Sequence, residues 1–287
     1  MSLAVTSNRY GRFFAWARGA VASNRSLLFG TLIVGTMVLV GLLGPLLWSG
    51  DPLALGSGRF LPPSLTYPMG TDDLGRDVFA RVILGARISL VVGGLSAIIS
   101  IVVGCAVGAT AGYFGGLLDE IVMRVVEIFQ IIPRFLFAIV IVALFGTGLV
   151  KIVLVIGLLS WPPVARIVRA QFMVLRSEEF VLAAKMSGAS TVRIIVRHIL
   201  PNVGPIILVS AFLQMSSAIL VESFLSFLGL GDPAAPSWGL LLQQAQLYLR
   251  SAWWMTVFPG LALFLTIFGL NLFGDGLNSG ESAERGG

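Results

Sequence analysis

The chain has 287 residues, of which 56% are hydrophobic and only 11% charged, with a formal net charge of +5 and a mean hydropathy of +0.94. A soluble domain carries about 25% charged residues; so few charges cannot cover this much apolar surface in water, and lipid removes the conflict. Lysines and arginines stand in short blocks between apolar runs and not on one basic face, which excludes nucleic acid as a partner. One cysteine, Cys105, and one histidine, His198, exclude an intrachain disulfide and a metal centre built from His and Cys clusters.

A membrane span needs about 20 mostly apolar residues. Six stretches qualify, at 27–48, 88–112, 121–145, 149–168, 203–228 and 254–273. They predict an all-α membrane protein with six transmembrane helices. The first is longer than the apolar core of a signal peptide and no A-x-A pattern follows it, so it reads as a retained helix. The third carries Arg124, Glu127, Pro133 and Arg134, and the fourth holds Pro162 and Pro163 near its end. Arg124 and Glu127 are three apart and able to pair on one helix face.

Orientation follows from Lys and Arg in the short loops, which favour the cytoplasmic side. Arg9, Arg12, Arg18 and Arg25 precede the first span without an acidic residue, and Arg166, Arg169, Arg176, Lys185, Arg193 and Arg197 lie between or beside spans four and five. Both termini are therefore expected in the cytoplasm. Residues 1–26 form a cytoplasmic N-terminal segment, 27–273 the six-helix domain and 274–287 a cytoplasmic tail that frays. Loops around 49–87 and 229–253 then face outward and the loop around 169–202 faces the cytoplasm. The first outward loop is a mild conflict, since it holds Arg59, Arg76, Arg81 and Arg87 beside Asp51, Asp72, Asp73 and Asp77.

The loop SEEFVLAAKMSGASTVRIIVRHILPN, residues 177–202, carries the most information. Residues 178–186 predict a short helix in which Ala183 and Ala184 leave room for another surface to approach. Gly188 is placed to end it in the left-handed region. Residues 191–200 restart a helix that Pro201 is expected to interrupt. Here the chain resembles the "EAA" loop of ABC importer permeases: Ala183, Ala184, Gly188, Ile199, Leu200 and Pro201 fit the pattern, while Leu182 stands where the pattern has Glu. Glu178 and Glu179, four and three residues earlier, share the helix face of Leu182 and supply charge there. The resemblance implies that residues Glu178, Glu179, Ala183, Ala184, Gly188 and Ala189 couple the chain to an ATPase subunit. A connector helix without a partner is the plain alternative.

Two further segments narrow the resemblance to the dipeptide, oligopeptide and nickel permeases. MGTDDLGRDVFARVILGARISLVVGG, residues 69–94, is similar to their Leu-Gly-Thr-Asp-x-x-Gly-Arg-Asp stretch followed by Gly-Ala-Arg-x-Ser-Leu, with Met69 in place of Leu. ESFLSFLGLGDPAAPSWGLLL, residues 222–242, is similar to Leu-Ser-Phe-Leu-Gly-Leu-Gly followed by Pro-x-Trp-Gly. Asp72, Asp73, Arg76, Asp77 and Trp238 are expected in the outward region, either docking a binding protein or, for the four charges, closing an ion-pair knot that shapes the loop. Trp238 suits a membrane–water interface.

The resemblance implies a type I ABC importer permease in a bacterial inner (cytoplasmic) membrane. Its implied partners are a sister permease subunit, two ABC ATPase subunits and an extracytoplasmic solute-binding protein. A Walker A loop needs Gly-Lys before Ser or Thr; the two lysines here, Lys151 and Lys185, follow Val150 and Ala184. ATP and Mg are therefore expected on the partner ATPases, with no cofactor, metal or catalytic residue in this chain. Polar residues inside spans usually face a cavity or a neighbouring helix. Gln130, Gln214, Ser217 and Glu222 are candidates to line the pathway, with Glu127, Arg134 and Ser216 beside them; helix–helix contact is the competing role for each. The expected function is translocation of di- or oligopeptides. Nickel or a metal chelate, an opine or glutathione are alternative cargoes, and a secondary transporter is a further reading that inverted repeats or matched broken helices would favour.

Overall fold

The computed structural model describes residues 24–48, 52–56 and 58–285, with side chains as far as Asn278. The basic stretch holding Arg9, Arg12 and Arg18, and the loop residue Asp51, lie outside them. Among the described residues the chain is helical, with one isolated β-bridge between Thr71 and Asp77.

Helix α1 (Arg25–Leu47) starts at Asn24, whose carboxamide oxygen accepts from the Ser26 and Leu27 N–H groups at 3.0 and 3.4 Å. The same side chain donates to the Gly276 carbonyl at 3.1 Å and so fastens α1 to the last helix. Helix α2 (Val78–Phe114) begins inside the segment expected as a loop and runs for 37 residues. At about 1.5 Å per residue it exceeds a hydrocarbon layer about 30 Å thick.

The third expected span is not one rod. It divides into α3 (Gly116–Ile131) and α4 (Arg134–Phe145), bent by 79°. Pro133 explains the break: it has no N–H and it drives Ile132 into the extended region, at φ −79° and ψ 123°. The fourth span comprises α5 (Leu149–Leu159) and α6 (Trp161–Leu175), joined at Ser160. Pro162 and Pro163 fall in the first turn of α6, where missing N–H groups cost nothing. It runs past the expected end at 168 because the basic Arg169 and Arg176 find partners there.

After the short α7 (Glu179–Met186), α8 runs over Thr191–Leu230, with a kink near its end at Gly229, where φ is 83°. Pro201 does not interrupt it, contrary to expectation. The preceding turn widens into π-helix over Ile194–Ile199, with the Leu200 N–H bonded back to Ile195, and this gives the proline ring room. Asn202 donates to the His198 carbonyl at 2.6 Å, so that group is not left bare. Helix α9 (Trp238–Ala245) is short, and α10 (Trp254–Arg285) continues as helix through the tail expected to fray after Gly274.

Among the described residues five helices are long and apolar enough to cross a membrane, and six if the bent α3–α4 pair is one span. Helix α2 stands at the centre, against α6, α8, α1 and α5. Small residues make that possible. A Cβ at Gly108 would run into the Ala165 carbonyl oxygen, and one at Gly112 would lie 2.6 Å from the Arg169 carbonyl oxygen, both on α6. Because those neighbours are backbone, the helices must separate to admit any side chain. Gly108→Leu is expected to lower the thermal midpoint of the detergent-purified chain by far more than Gly94→Leu, where a Cβ meets nothing.

Candidate functional site

Helix α7 rests on the bundle through Val181, fully buried among Phe172, Ile194 and Ile199. Ala184 and Ala189 pack partly against the same cluster. Around that seat lies a set of cation contacts. The Lys185 ammonium sits 5.4 Å from the Tyr113 ring centre at the end of α2. Arg176 donates to the Gly112 and Tyr113 carbonyls at 3.2 and 3.3 Å. Arg169 grips Asp119 on α3 with two bonds of 2.5 and 2.6 Å. Lys185 thus ties α7 to the end of α2, while Arg169 and Arg176 tie α6 and its end to α3 and α2.

The other face of α7 has no partner among the described residues. Phe180, Leu182 and Ala183 are exposed and Met186 is 91% exposed, with Val192 and Val196 exposed just beyond. Glu178 and Glu179 are exposed too; Glu179 lies in the first turn, where a carboxylate complements the helix dipole. The helix ends as expected from its glycine. Gly188 adopts φ +76°, its N–H bonds to the Lys185 carbonyl at 3.0 Å, and the Ala189 N–H bonds to the Ala184 carbonyl at 3.1 Å. This is the Schellman arrangement, in which only glycine is free of strain. The buried anchor Val181 and the Lys185–Tyr113 contact were not singled out from sequence; the spacing of Val181 and Ala184 on one face was the available signal.

At the opposite end of α2 the acidic and basic residues of the 58–77 loop close on themselves. Asp72 is 1% exposed and Arg81 is 3% exposed. One Asp72 oxygen accepts from Arg76 Nε at 2.7 Å and from Arg81 Nη1 at 2.6 Å, and the other accepts from the N–H groups of Leu74 and Arg76, each at 2.9 Å. Arg81 also donates to Gln244 of α9 at 2.7 Å. Asp77 caps α2 through the Phe79 N–H and accepts from the Trp48 indole at 3.1 Å. Burial pushes the Asp77 carboxyl above its ordinary value, while the N–H groups of Phe79 and Ala80 and the Trp48 indole pull it back.

Of the five positions expected in the outward region, Asp72 and Trp238 are buried within the chain, Asp72 in the ion-pair knot that was the alternative to docking. Trp238 is wholly buried, with its indole donating to the Val82 carbonyl at 3.0 Å. Gly85 makes space for the ring, since a Cβ there would lie 2.8 Å from it. Asp73, Arg76 and Asp77 keep partial exposure. Arg81, the buried hub of the knot, was read from sequence only as a loop charge; a cation within an otherwise apolar helix was the signal to notice.

The polar residues within the spans separate into two groups. Gln214 is buried and donates to the Ser160 carbonyl at 2.7 Å. Glu222 is 2% exposed and accepts from Ser226 at 2.6 Å. Gln214 thus joins α8 to α6, and Glu222 is held by the next turn of its own helix; these are the helix contacts read as the competing role to lining a pathway. Ser216 accepts from Asn271 at 3.1 Å, also between helices. Gln130 is exposed and accepts from Arg166 at 2.8 Å. Ser217 is half-buried and meets Arg134 at 3.4 Å. Arg124 and Glu127 pair at 3.2 Å on an exposed face. No group of three His, Cys, Asp or Glu side chains comes together among the described residues.

Comparison with known proteins gives consistent results. Residues 100–279 match the family described as binding-protein-dependent transport system inner membrane component. The chain is 40% identical over 266 residues to the dipeptide transport system permease protein of Bacillus subtilis (strain 168), covering 92% of this chain and 82% of that one. It is 38% identical over 264 residues to the di/tripeptide transport system permease protein of Pseudomonas aeruginosa (strain UCBPP-PA14), covering 89% and 87%. It is 37% identical over 259 residues to the oligopeptide transport system permease protein of Bacillus subtilis, covering 89% and 84%. In three dimensions it is similar to an inward-facing structure of the MetNI methionine ABC transporter, with a TM-score of 0.56, 18% identity, and coverage of 68% of this chain and 93% of that one.

Proposed function

The chain belongs to the family of binding-protein-dependent transport system inner membrane components, and from that premise we propose that it is one of two membrane-spanning subunits of an ATP-driven importer of di- and oligopeptides in a bacterial inner membrane. The observation that carries the proposal is the two-sided character of α7: seated through Val181, yet presenting Phe180, Leu182, Ala183 and Met186 to an outside surface. An exposed apolar face beside charged residues marks a protein contact. The occupant is an ATPase subunit that binds ATP and Mg. Nucleotide-driven closure of the ATPase pair then pushes α7, and the packing of Val181 and the Lys185–Tyr113 contact carry the movement into the spans. Alternating access follows as a shift between two arrangements of those spans.

Peptide cargo is supported by the names of the relatives, all at 37–40% identity. In this reading α7 lies in the cytoplasm and the 58–77 loop faces a solute-binding protein outside, where Asp73, Arg76 and Asp77 offer the accessible charges. Gln130 and Ser217 remain candidates to line the pathway between this chain and its sister.

The test is affinity purification of the tagged chain in mild detergent, followed by ATP-dependent peptide uptake in liposomes. Recovery of a second permease and two ATPase subunits, with uptake that needs ATP and a binding protein, is the expected result. Uptake that proceeds with the isolated chain and an ion gradient alone would instead establish a secondary transporter.

A further inference from the structure

We propose that Arg134 is a recognition point for a carboxylate of the cargo, held at the break between α3 and α4. The assignment rests on the peptide-importer reading and adds the chemical group that the pathway takes hold of. Arg134 opens α4 directly after Pro133, where the two half-helices meet at 79°. A guanidinium keeps its charge in proteins, and a charge inside a span is costly unless it meets a polar partner.

Arg134 has almost no such partner. Its Nη2 makes a long bond of 3.4 Å to the Ser217 hydroxyl, and its Nη1 is buried without an acceptor among the described residues. No carboxylate stands within ion-pair distance of it there. Neighbouring cations differ in this respect. Arg124 meets Glu127, Arg166 meets Gln130, Arg169 meets Asp119 and Lys151 meets the Phe145 carbonyl.

The surroundings are those of an anion site. Helix α4 has 12 residues and no side-chain cap at its start, so free N–H groups and the positive end of its dipole begin at the residue that carries the guanidinium. Ser217 adds a hydroxyl from α8. Around them Ile131, Ile132, Phe135 and Phe224 are exposed and apolar, a setting that strengthens any charge-assisted bond. Every peptide with a free C-terminus carries a carboxylate, which a guanidinium binds with two parallel bonds. Broken helices with a half-helix N-terminus aimed at an anionic group are a recurrent transporter device.

The experiment uses the whole assembly in liposomes with its binding protein and ATP. Uptake of tri-alanine, tri-alanine amide and Ala-Glu-Ala amide is compared for the unaltered chain, Arg134→Gln and Arg134→Lys, together with ATP consumed per peptide. Loss of a charge-assisted bond is worth about tenfold, so Arg134→Gln should raise ATP consumed per tri-alanine by about that factor, and Arg134→Lys should restore most of the efficiency. Tri-alanine amide should be indifferent to both variants. Sensitivity of Ala-Glu-Ala amide would extend recognition from the C-terminus to side-chain carboxylates. Where the unaltered assembly carries no amide, tri-alanine efficiency alone decides. Equal effects on acid and amide, or no effect on tri-alanine, would overturn the assignment and leave the importer reading intact. So would loss of the sister subunit with Arg134→Gln alone, which would place the arginine in the subunit interface. An unaltered assembly that moves no peptide would overturn the cargo reading, and the assignment with it.

Discussion

Gly188→Val is expected to abolish ATP-driven uptake while the chain still inserts and folds. The reason is conformational. A Cβ at this position meets nothing within 4 Å, so no clash arises, but φ is +76°. An L-residue in that region costs about 1–2 kcal/mol, and a β-branched one is the worst suited. This is small beside the stability of a bundle whose core lies elsewhere. It is large beside the few bonds that end α7, from Gly188 to Lys185 and from Ala189 to Ala184. Relief of the strain unwinds the last turn and shifts Met186 and Ala183, the face proposed to meet the ATPase. Gly188→Asn is the control, since Asn tolerates the left-handed region at little cost. The expected pattern is normal membrane abundance for both variants, near-normal uptake for Asn, and continued ATP hydrolysis without uptake for Val. Full uptake by Gly188→Val would detach α7 from the coupling role.

The sequence made the helices legible and left their breaks and their inner contacts obscure. Apolar runs of about 20 residues are a strong signal, and all six stretches reappear as helix. Gly188 was readable because a glycine after a short helix has one common physical use. Pro133 and Pro201 were harder, since one sequence symbol produced two outcomes: a 79° bend at the first and a widened turn at the second. Which occurs depends on how the neighbouring turn makes room for the ring, as the widened turn at Ile194–Ile199 does before Pro201, and that is tertiary information. Trp238 was misplaced for a similar reason. An amphipathic ring fits a membrane surface, but the space left by Gly85, 153 positions earlier, is invisible to local patterning. Gln214 and Glu222 likewise could be read as polar residues in apolar spans, but not as residues whose partners lie on neighbouring turns and helices.

Asp72→Ala should be the most destabilising single change in the 58–77 loop. Asp72 and Arg81 are both nearly inaccessible, and Asp72 accepts four bonds, three that shape the loop and one from Arg81 that joins it to α2. Removing one partner of a buried ion pair costs about 3–5 kcal/mol, because the remaining charge stays desolvated without compensation. Gln244 alone cannot neutralise Arg81, and Arg76 loses its closest carboxylate as well. The ion pair itself is not the net source of stability, which gives the prediction its distinctive shape. Asp72→Ala combined with Arg81→Met removes both desolvated charges and keeps an aliphatic chain against Val78, Leu241 and Met255, which line the same small cavity. The double variant should therefore recover a large part of the thermal midpoint lost by the single one. The measurement is melting of the detergent-purified chain by its tryptophan fluorescence, for which Trp238 and Trp254 sit in the core beside the knot. A single variant that melts with the unaltered chain would mean that water reaches Arg81 and that the knot only decorates the surface. A double variant no better than the single would mean that the bonds to Leu74 and Arg76, not the buried charge, hold the loop in place.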